Sequence, residues 1–351
     1  MLAPLIKQVS EGGHLSNGQI GLAVEELVNE RIPAQVKADF LCTLALKGET
    51  VEEITAFARA LRERSIQPPI EAKWREANEI LDVCGTGGDR LNTFNISTTV
   101  ALVCAAAGVA VAKHGNRAIT SQAGSADVLE AVGVRVDLEP DEAARSLQTH
   151  GFAFFFAPKY HPAFKHIGPA RKLCAARGQR TIFNFLGPLL NPARPSAQLV
   201  GVPRPELCEA LAKVLQALGV GRAMVVSGKV NDPGSAQERF LDELSTLGKN
   251  TIAEFYQELG FTVSETGTEQ FDLQPAKLQD LAGSDAQANG QILLRLLNGE
   301  ETGPKRDAVL LNAAAALFVA NRAESLIEGW EIAATVLSSG AAARKLEALR
   351  S

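Results

Sequence analysis

The chain has 351 residues, 46% hydrophobic and 21% charged, with a formal net charge of −5. That is enough apolar chain for one large domain or two ordinary ones around a sizeable core. The acidic balance argues against a nucleic-acid surface, no apolar run reaches the length of a membrane span, and the start MLAPLIKQVSEGGHL lacks a signal-peptide layout.

The first 70 residues carry four runs with apolar positions near a period of 3.6: LAPLIKQV, IGLAVEELVNE, AQVKADFLCTLALKG and TVEEITAFARALRER. Ser16 and Thr50 are expected N-caps, Pro33 opens the third helix and Gly48 ends it. Two prolines make IQPPIEAKW, residues 66 to 74, a linker. Beyond it short β-rich runs alternate with alanine-rich helical runs. Strands are expected at EILDVC, VAVAKHG, FAFFFA, AQLVGV and AMVVSG, with helices between them such as PELCEALAKVLQALG. The tail, LLNAAAALFVANR and SLIEGWEIAATVLSSGAAARKLEALR, is helical again. Such alternation predicts an α/β fold with a mainly parallel central sheet flanked by helices, preceded by a small all-helical domain. Cys42, Cys84, Cys104, Cys174 and Cys208 are odd in number and form no CxxC pair, which suits reduced thiols in a cytoplasm filling small core positions.

Four constellations carry chemistry. The first is CGTGGDRLNTFNIST, residues 84 to 98, where a strand breaks into glycines ahead of a helix. Glycines there let backbone N–H groups approach an anion at the positive end of the helix; the alternative is a plain strand–helix turn. Asn95 or Ser97 would cap the helix. Arg90 breaks a dinucleotide GxGxxG and there is no GK[ST], so neither common phosphate motif applies. The second is AKHGNRAITSQAGSADVLEAVG, residues 112 to 133. Lys113, His114, Asn116 and Arg117 gather donors at another strand's C-terminal end, where α/β sheets bind ligands. Thr120, Ser121 and Ser125 add hydroxyls. Two such loops on one sheet edge suit a ligand with two phosphate groups.

The third is FLDELS, residues 240 to 245. Asp242 and Glu243 beside a polyphosphate would carry magnesium; otherwise they are the acidic start of a helix STLGKNTIAEF. The fourth, residues 161 to 192, is punctuated by proline and glycine and holds Arg171, Arg177 and Arg180. Any of these could grip a carboxylate in a bidentate fork or be a surface charge. His161 and His166 read as structural. No G-x-S-x-G, H-E-x-x-H or Cys–His signature occurs, so catalysis should rest on positioning and charge stabilisation.

Taken together, GTGGD, NIST, KHGNR, GSADVLEAVG, RTIFNFLGPLLNP, LDELS and GPKRDAVLLNAAAAL resemble, in order and spacing, the anthranilate phosphoribosyltransferases. The resemblance covers nearly the whole chain. It implies a helical domain, residues 1 to 70 joined in space by helices from about 164 to 192, hinged to an α/β domain of residues 71 to 351. It implies a cytoplasmic homodimer paired through the helical domain, with no nucleic-acid or membrane partner. Anthranilate and phosphoribosyl diphosphate would be the substrates, and Mg²⁺ the cofactor, with two ions in each site. Gly85, Gly88, Asp89, Thr93, Asn95, Ile96, Ser97 and Thr98 would line the diphosphate. Lys113, His114, Gly115, Asn116, Arg117, Ala118, Ile119, Thr120 and Ser121, with Ser125, would wrap the ribose and its 5-phosphate. Ser97, Asp242 and Glu243 would hold magnesium. Gly85, Asn116 and Arg171 would contact anthranilate, Arg171 at its carboxylate, while His114, Gly187 and Pro188 shape the aromatic pocket. SGKVNDPGSAQERF and KLCAARGQR are longer than their counterparts in the family. The rival readings are a pyrimidine nucleoside phosphorylase and a non-catalytic nucleic-acid-binding relative.

Overall fold

A computed structural model describes residues 2–118, 122–231, 237–256 and 260–350. Four helices come first: α1 (Leu2–Ser10), α2 (Asn17–Val28), α3 (Ala34–Lys47) and α4 (Val51–Glu63). Ser16 and Thr50 each close a capping box, with Gln19 and Glu53 as the reciprocal partners. Pro33 stands at the N-cap of α3 and Gly48, at φ 87°, ends it. The linker leads into the short α5 (Ala72–Ala77), which begins inside the stretch expected to be irregular.

The alternation then follows as β1 (Ile80–Gly85), α6 (Ile96–Ala106), β2 (Ala110–Gly115), α7 (Ser125–Ala131), α8 (Pro140–His150) and β3 (Phe152–Phe156). Next come α9 (Ala157–Tyr160), α10 (Gly168–Ala176), β4 (Ala197–Gly201), α11 (Glu206–Ala217), β5 (Arg222–Val230), β6 (Arg239–Leu241), β7 (Asn250–Tyr256) and β8 (Gly260–Thr266). Four helices close the chain: α12 (Ala286–Leu297), α13 (Pro304–Val319), α14 (Leu326–Ser338) and α15 (Ala341–Arg350). The sheet order is β3-β2-β1-β4-β5-β7-β8, with β6 also on β5. Neighbours from β3 to β5 run parallel; β6, β7 and β8 join antiparallel.

Strand alternation divides the core. Leu81, Val83, Leu199, Met224 and Val226 face one cluster with α6 and α13. Cys84, Val200, Val202, Ala223 and Val225 face a second, shared with α11 and with Leu5, Val24, Leu41 and Phe57 of the first four helices. The helical domain and the sheet therefore bury apolar surface together, each fully covered Leu or Val contributing about 1.5–3 kcal/mol. Ala170 and Cys174 of α10 join that cluster, and the Cys174 thiol meets the Ala38 carbonyl of α3 at 3.6 Å. All five cysteines are free and buried. α13 is buried on almost every side from Asp307 to Val319, its alanine-rich run lying inside the core.

One expected helix is absent. STLGKNTIAEF becomes a turn and β7. The Ser245 N–H donates to Asn250 Oδ1 at 2.6 Å and Asn250 Nδ2 returns to the Ser245 carbonyl at 3.0 Å. These side-chain bonds compete with helical ones and close the turn instead. Asp242 and Glu243 thus do not start a helix. No helix among the described residues is long and apolar enough to cross a membrane.

Candidate active site

The site forms at the C-terminal ends of β1, β2 and β4. The glycine loop after β1 takes left-handed backbone at Gly87 (φ 71°) and at two non-glycine residues, Arg90 (φ 60°) and Asn92 (φ 53°). Left-handed residues other than glycine cost energy and cluster at functional sites. Asp242 explains the shape. Its Oδ2 accepts the N–H groups of Gly87 and Gly88, the latter at 3.3 Å, and stands 3.5 Å from the Thr86 hydroxyl. The loop's donors therefore converge on a carboxyl oxygen supplied by the protein itself, the arrangement of an anion cradle. β4 must run close for this: a Cβ at Gly201 would lie 1.6 Å from the Asp242 carbonyl oxygen.

Glu243, beside it, fixes the next helix. Its Oε1 accepts the Ser97 N–H at 3.2 Å, at the start of α6. Neither Asn95 nor Ser97 caps α6 through its side chain: Asn95 holds the N-cap position without a side-chain cap bond, and Ser97 lies in the first turn. Asn95 instead ties the two glycine loops together, donating to the Ala123 carbonyl at 3.3 Å and accepting from Asn289 of α12 at 2.9 Å. The Leu244 N–H and carbonyl are both bound by Asn312 of α13, each at 2.9 Å, and this clamp holds the acidic pair in place.

Electrostatically this corner is acidic and buried. Burial, with repulsion from Asp89 and Glu243, pushes the Asp242 carboxyl far above its usual range. Burial also pushes Glu243 up to about 8, against the pull of Lys113. Two carboxyls so raised call for a cation. Among the described residues no group of three or more His, Cys, Asp or Glu is arranged to hold a metal alone. The donors fit magnesium, which takes one or two carboxylates and completes its shell with water and phosphate oxygens. Ser97, Asp242 and Glu243 would hold it, with Asp89 behind: Asp89 accepts the N–H groups of Leu91 (3.1 Å) and Asp242 (3.5 Å).

At the second loop Lys113 is almost fully buried, and its Nζ donates to the Val83 carbonyl at 2.7 Å and reaches Ser97 Oγ at 3.4 Å. Its charge sits beneath the start of α6. Asn116 accepts the Arg117 N–H with its side chain at 2.7 Å and the Ser125 hydroxyl with its carbonyl at 3.4 Å. Arg117 is exposed and paired with Glu130 and Asp127. Asp127 also accepts the N–H groups of Ala118 and Gly124. Ile119, Thr120 and Ser121 lie outside the described residues. Thr93 bridges to Ala282, and buried Ile96 and Thr98 sit in the first turn of α6.

The acceptor side is aromatic. His114, His161, Phe164 and Phe183 stand in successive ring contacts of 5.5, 5.0 and 5.9 Å. Arg171 of α10 ends the row, its guanidinium 5.7 Å from the Phe183 ring centre. Burial lowers the Arg171 pKa, and no carboxylate is paired with it among the described residues. Arg177 is bound to Asp39 at 2.9 Å. Arg180 donates to the Gly88 carbonyl at 3.0 Å. The structure thus separates three arginines that the sequence left equal. His161 is anchored on the Leu190 carbonyl at 2.9 Å. His114 bonds to the Gly187 backbone, and burial beside His161 lowers it to about 3, so it stays neutral. Among the described residues its Nε2 and the Thr98 hydroxyl are buried without hydrogen-bond partners, which leaves them open to a ligand. Pro188 is buried beside this row while Gly187 is exposed.

Sequence reasoning missed Phe164, Phe183 and Asn312, because their partners are far away along the chain, and it named Arg180 only as a candidate for the carboxylate, not as a partner of the Gly88 carbonyl. It also missed the cluster of positive charge at the loop's mouth, where burial first, and then Arg90 and Arg204, lower the Arg180 pKa.

A helical bundle on a parallel sheet, with an anion loop and an acidic pair at the strand ends, defines a class of group-transfer enzyme. Residues 77–343 match the glycosyl transferase family, a/b domain, and residues 3–65 match its helical bundle domain. The chain belongs to that family. Within it, the chain is 46% identical over 347 residues to the anthranilate phosphoribosyltransferase of Symbiobacterium thermophilum, covering 99% of this chain and 96% of that one. The crystal structure of the Thermus thermophilus enzyme has a TM-score of 0.85 at 39% identity, covering 98% of both chains. The Saccharomyces cerevisiae enzyme in complex with PRPP and Mg has a TM-score of 0.82 at 27% identity, covering 98% of this chain and 96% of that one. The chain is one of the anthranilate phosphoribosyltransferases.

Proposed function

We propose that the chain transfers the 5-phosphoribosyl group from phosphoribosyl diphosphate to the amino group of anthranilate, releasing diphosphate. The arylamine nitrogen attacks C1 of the ribose as the C1–O bond to diphosphate breaks, through an oxocarbenium-like transition state and no covalent intermediate. The amine then loses its proton. The observation that carries this is the convergence of the Gly87 and Gly88 N–H groups on Asp242, one of the buried acidic pair. In the loaded enzyme those N–H groups face the diphosphate and stabilise the charge that grows there. The buried Lys113 charge under Ser97 adds to that field. Ser97, Asp242 and Glu243 would hold magnesium, as two ions, and the metal would supply positive charge against the leaving diphosphate. The second loop, Lys113 to Ser121 with Ser125, takes the ribose and 5-phosphate.

Anthranilate lies along the row from His114 to Arg171, near Gly85, Asn116, Gly187 and Pro188, with Arg171 gripping its carboxylate. Closure of a helical domain, residues 1 to 70 plus the segment from about 164 to 192, on residues 71 to 351 aligns the substrates and excludes water from C1. The enzyme works in the cytoplasm as a homodimer paired through the helical domain; the exposed Leu22 and Leu46 suit such a face. Anthranilate fluorescence tests the function. Loss of signal only with protein, phosphoribosyl diphosphate and Mg²⁺ together, abolished by EDTA, is the expected result. No loss with folded protein would sink it, and turnover of thymidine with phosphate would replace it with a phosphorylase.

A further inference from the structure

β1 and β2 are six residues long, yet their mutual register ends at Ile80↔Ala110 and Leu81↔Val111. Both strands continue on their other sides, β1 with β4 to Gly85↔Gly201 and β2 with β3 to Gly115↔Phe156. The sheet is split between its two ligand-bearing strands. A split leaves backbone groups inside the protein without ladder partners, and each must be satisfied.

Side chains satisfy them. The Asp82 carboxylate accepts the N–H of Val83 and, at 3.3 Å, that of His114. Lys113 Nζ donates to the Val83 carbonyl at 2.7 Å. Asn191 Nδ2 donates to the Ala112 carbonyl at 2.7 Å and to Asp82 Oδ2 at 2.9 Å. Asn191 Oδ1 accepts the Ala193 N–H at 2.9 Å. Asp82 and Asn191 are 0% exposed and Lys113 is 2% exposed.

We infer that Asp82, Lys113 and Asn191 form a side-chain wedge that holds β1 and β2 apart at the ligand edge, with Asn191 as its positioning residue. The inference rests on the function proposed above and extends it to Asp82 and Asn191, which that reading gives no contact with substrate. Paired strands lie about 4.8 Å apart, so a closed ladder would bring the two glycine loops together and shut out a phosphoribosyl group. The wedge sets their separation. Asn191 also ends the segment bearing Gly187 and Pro188, so one side chain keys the acceptor wall to the donor loops.

The test compares Asn191→Leu, Asp82→Asn, Asn191→Asp and the double variant Asp82→Asn/Asn191→Asp. Each single variant removes a bond to a buried charge and is expected to lower kcat/KM roughly 10- to 100-fold, with KM raised for both substrates. In the double variant the amide at position 82 can donate to the carboxylate at position 191, which still lacks a donor for the Ala112 carbonyl, so about tenfold should return relative to Asn191→Asp but not the wild-type rate. Calorimetric binding of diphosphate with Mg²⁺ should weaken in the single variants and recover in the double one. Wild-type KM values and diphosphate affinity in the single variants would overturn the wedge. So would a double variant no better than its worse parent, which would mean a merely structural role. A wild type that binds magnesium diphosphate but leaves anthranilate untouched would overturn the proposed function instead, and the diphosphate arm would still decide the wedge.

Discussion

The two sides of the site are prepared differently. On the donor side the loop's N–H groups are already engaged by Asp242, Ser97 N–H by Glu243, and Leu244 by Asn312. On the acceptor side Arg171 lies over the Phe183 ring with no carboxylate paired to it, and His114 Nε2 has no hydrogen-bond partner, among the described residues. One side is built around internal stand-ins for its ligand's charge; the other leaves its recognition groups open. Mutations on the first side should therefore disturb structure and chemistry together, and mutations on the second should disturb affinity alone.

The largest effect is expected from Asp242→Asn with Glu243→Gln. If the pair carries magnesium, turnover should fall by roughly three orders of magnitude, because metal stabilisation of the leaving group is worth several kcal/mol. Titration of initial rate against Mg²⁺ decides it: an unchanged magnesium dependence would leave the pair as scaffold. Gly201→Ala comes next. The added methyl collides with the Asp242 carbonyl, and relieving the overlap should cost about 1–3 kcal/mol of stability. It should also shift the acidic pair, so thermal melting and kcat should fall together.

How much of this the residues announced depends on the range of each interaction. The glycine loop, the strands β1 to β5 and the caps at Ser16 and Thr50 are local in sequence and were legible. The role of Asp242 was not, since it meets Gly87 across 155 positions. β7 was misread because TIAEF fits either period, and what decided it was the Ser245–Asn250 bond pair rather than any apolar pattern. The arginines of 171 to 180 were indistinguishable by residue type, and only the resemblance singled out Arg171; α10 turns Arg177 toward Asp39 and leaves Arg171 over Phe183. Asn191 was visible only as part of a motif, because its work is to replace ladder bonds in a split that no single strand records.

On the acceptor side Arg171→Ala should raise KM for anthranilate about 10- to 100-fold, the worth of a charge-assisted pair, and leave KM for the donor nearly unchanged. Equal losses for both substrates in steady-state kinetics would remove Arg171 from the carboxylate.

A smaller effect comes from pH. Glu243 is raised from an ordinary 4.5 to about 8 by burial. Its folded-state pKa lies above the unfolded one, so its contribution to stability is complete below about pH 4.5 and lost as pH rises through about 8. The metal-free protein should melt progressively lower across that window. Magnesium needs the ionised form, so its binding in the presence of diphosphate should tighten over the same window and release protons near pH 7. Calorimetry in two buffers of different ionisation enthalpy reads this directly; equal heats would place the proton elsewhere.

The smallest effect is expected from Arg177→Ala, and it sharpens the contrast most. Arg177 is an exposed partner of Asp39, and exposed pairs contribute little. Both KM values and the melting temperature should stay close to wild type. Arg180→Ala, three residues on, loses a bond to the Gly88 carbonyl and a positive charge at the mouth of the anion loop. It should raise KM for the donor several-fold, more so at low ionic strength, where an exposed charge acts furthest. If Arg177→Ala instead raised KM for anthranilate and Arg171→Ala did not, the grip on the carboxylate would belong to the end of α10, and the division between a committed and an open side would have to be redrawn around Asp39.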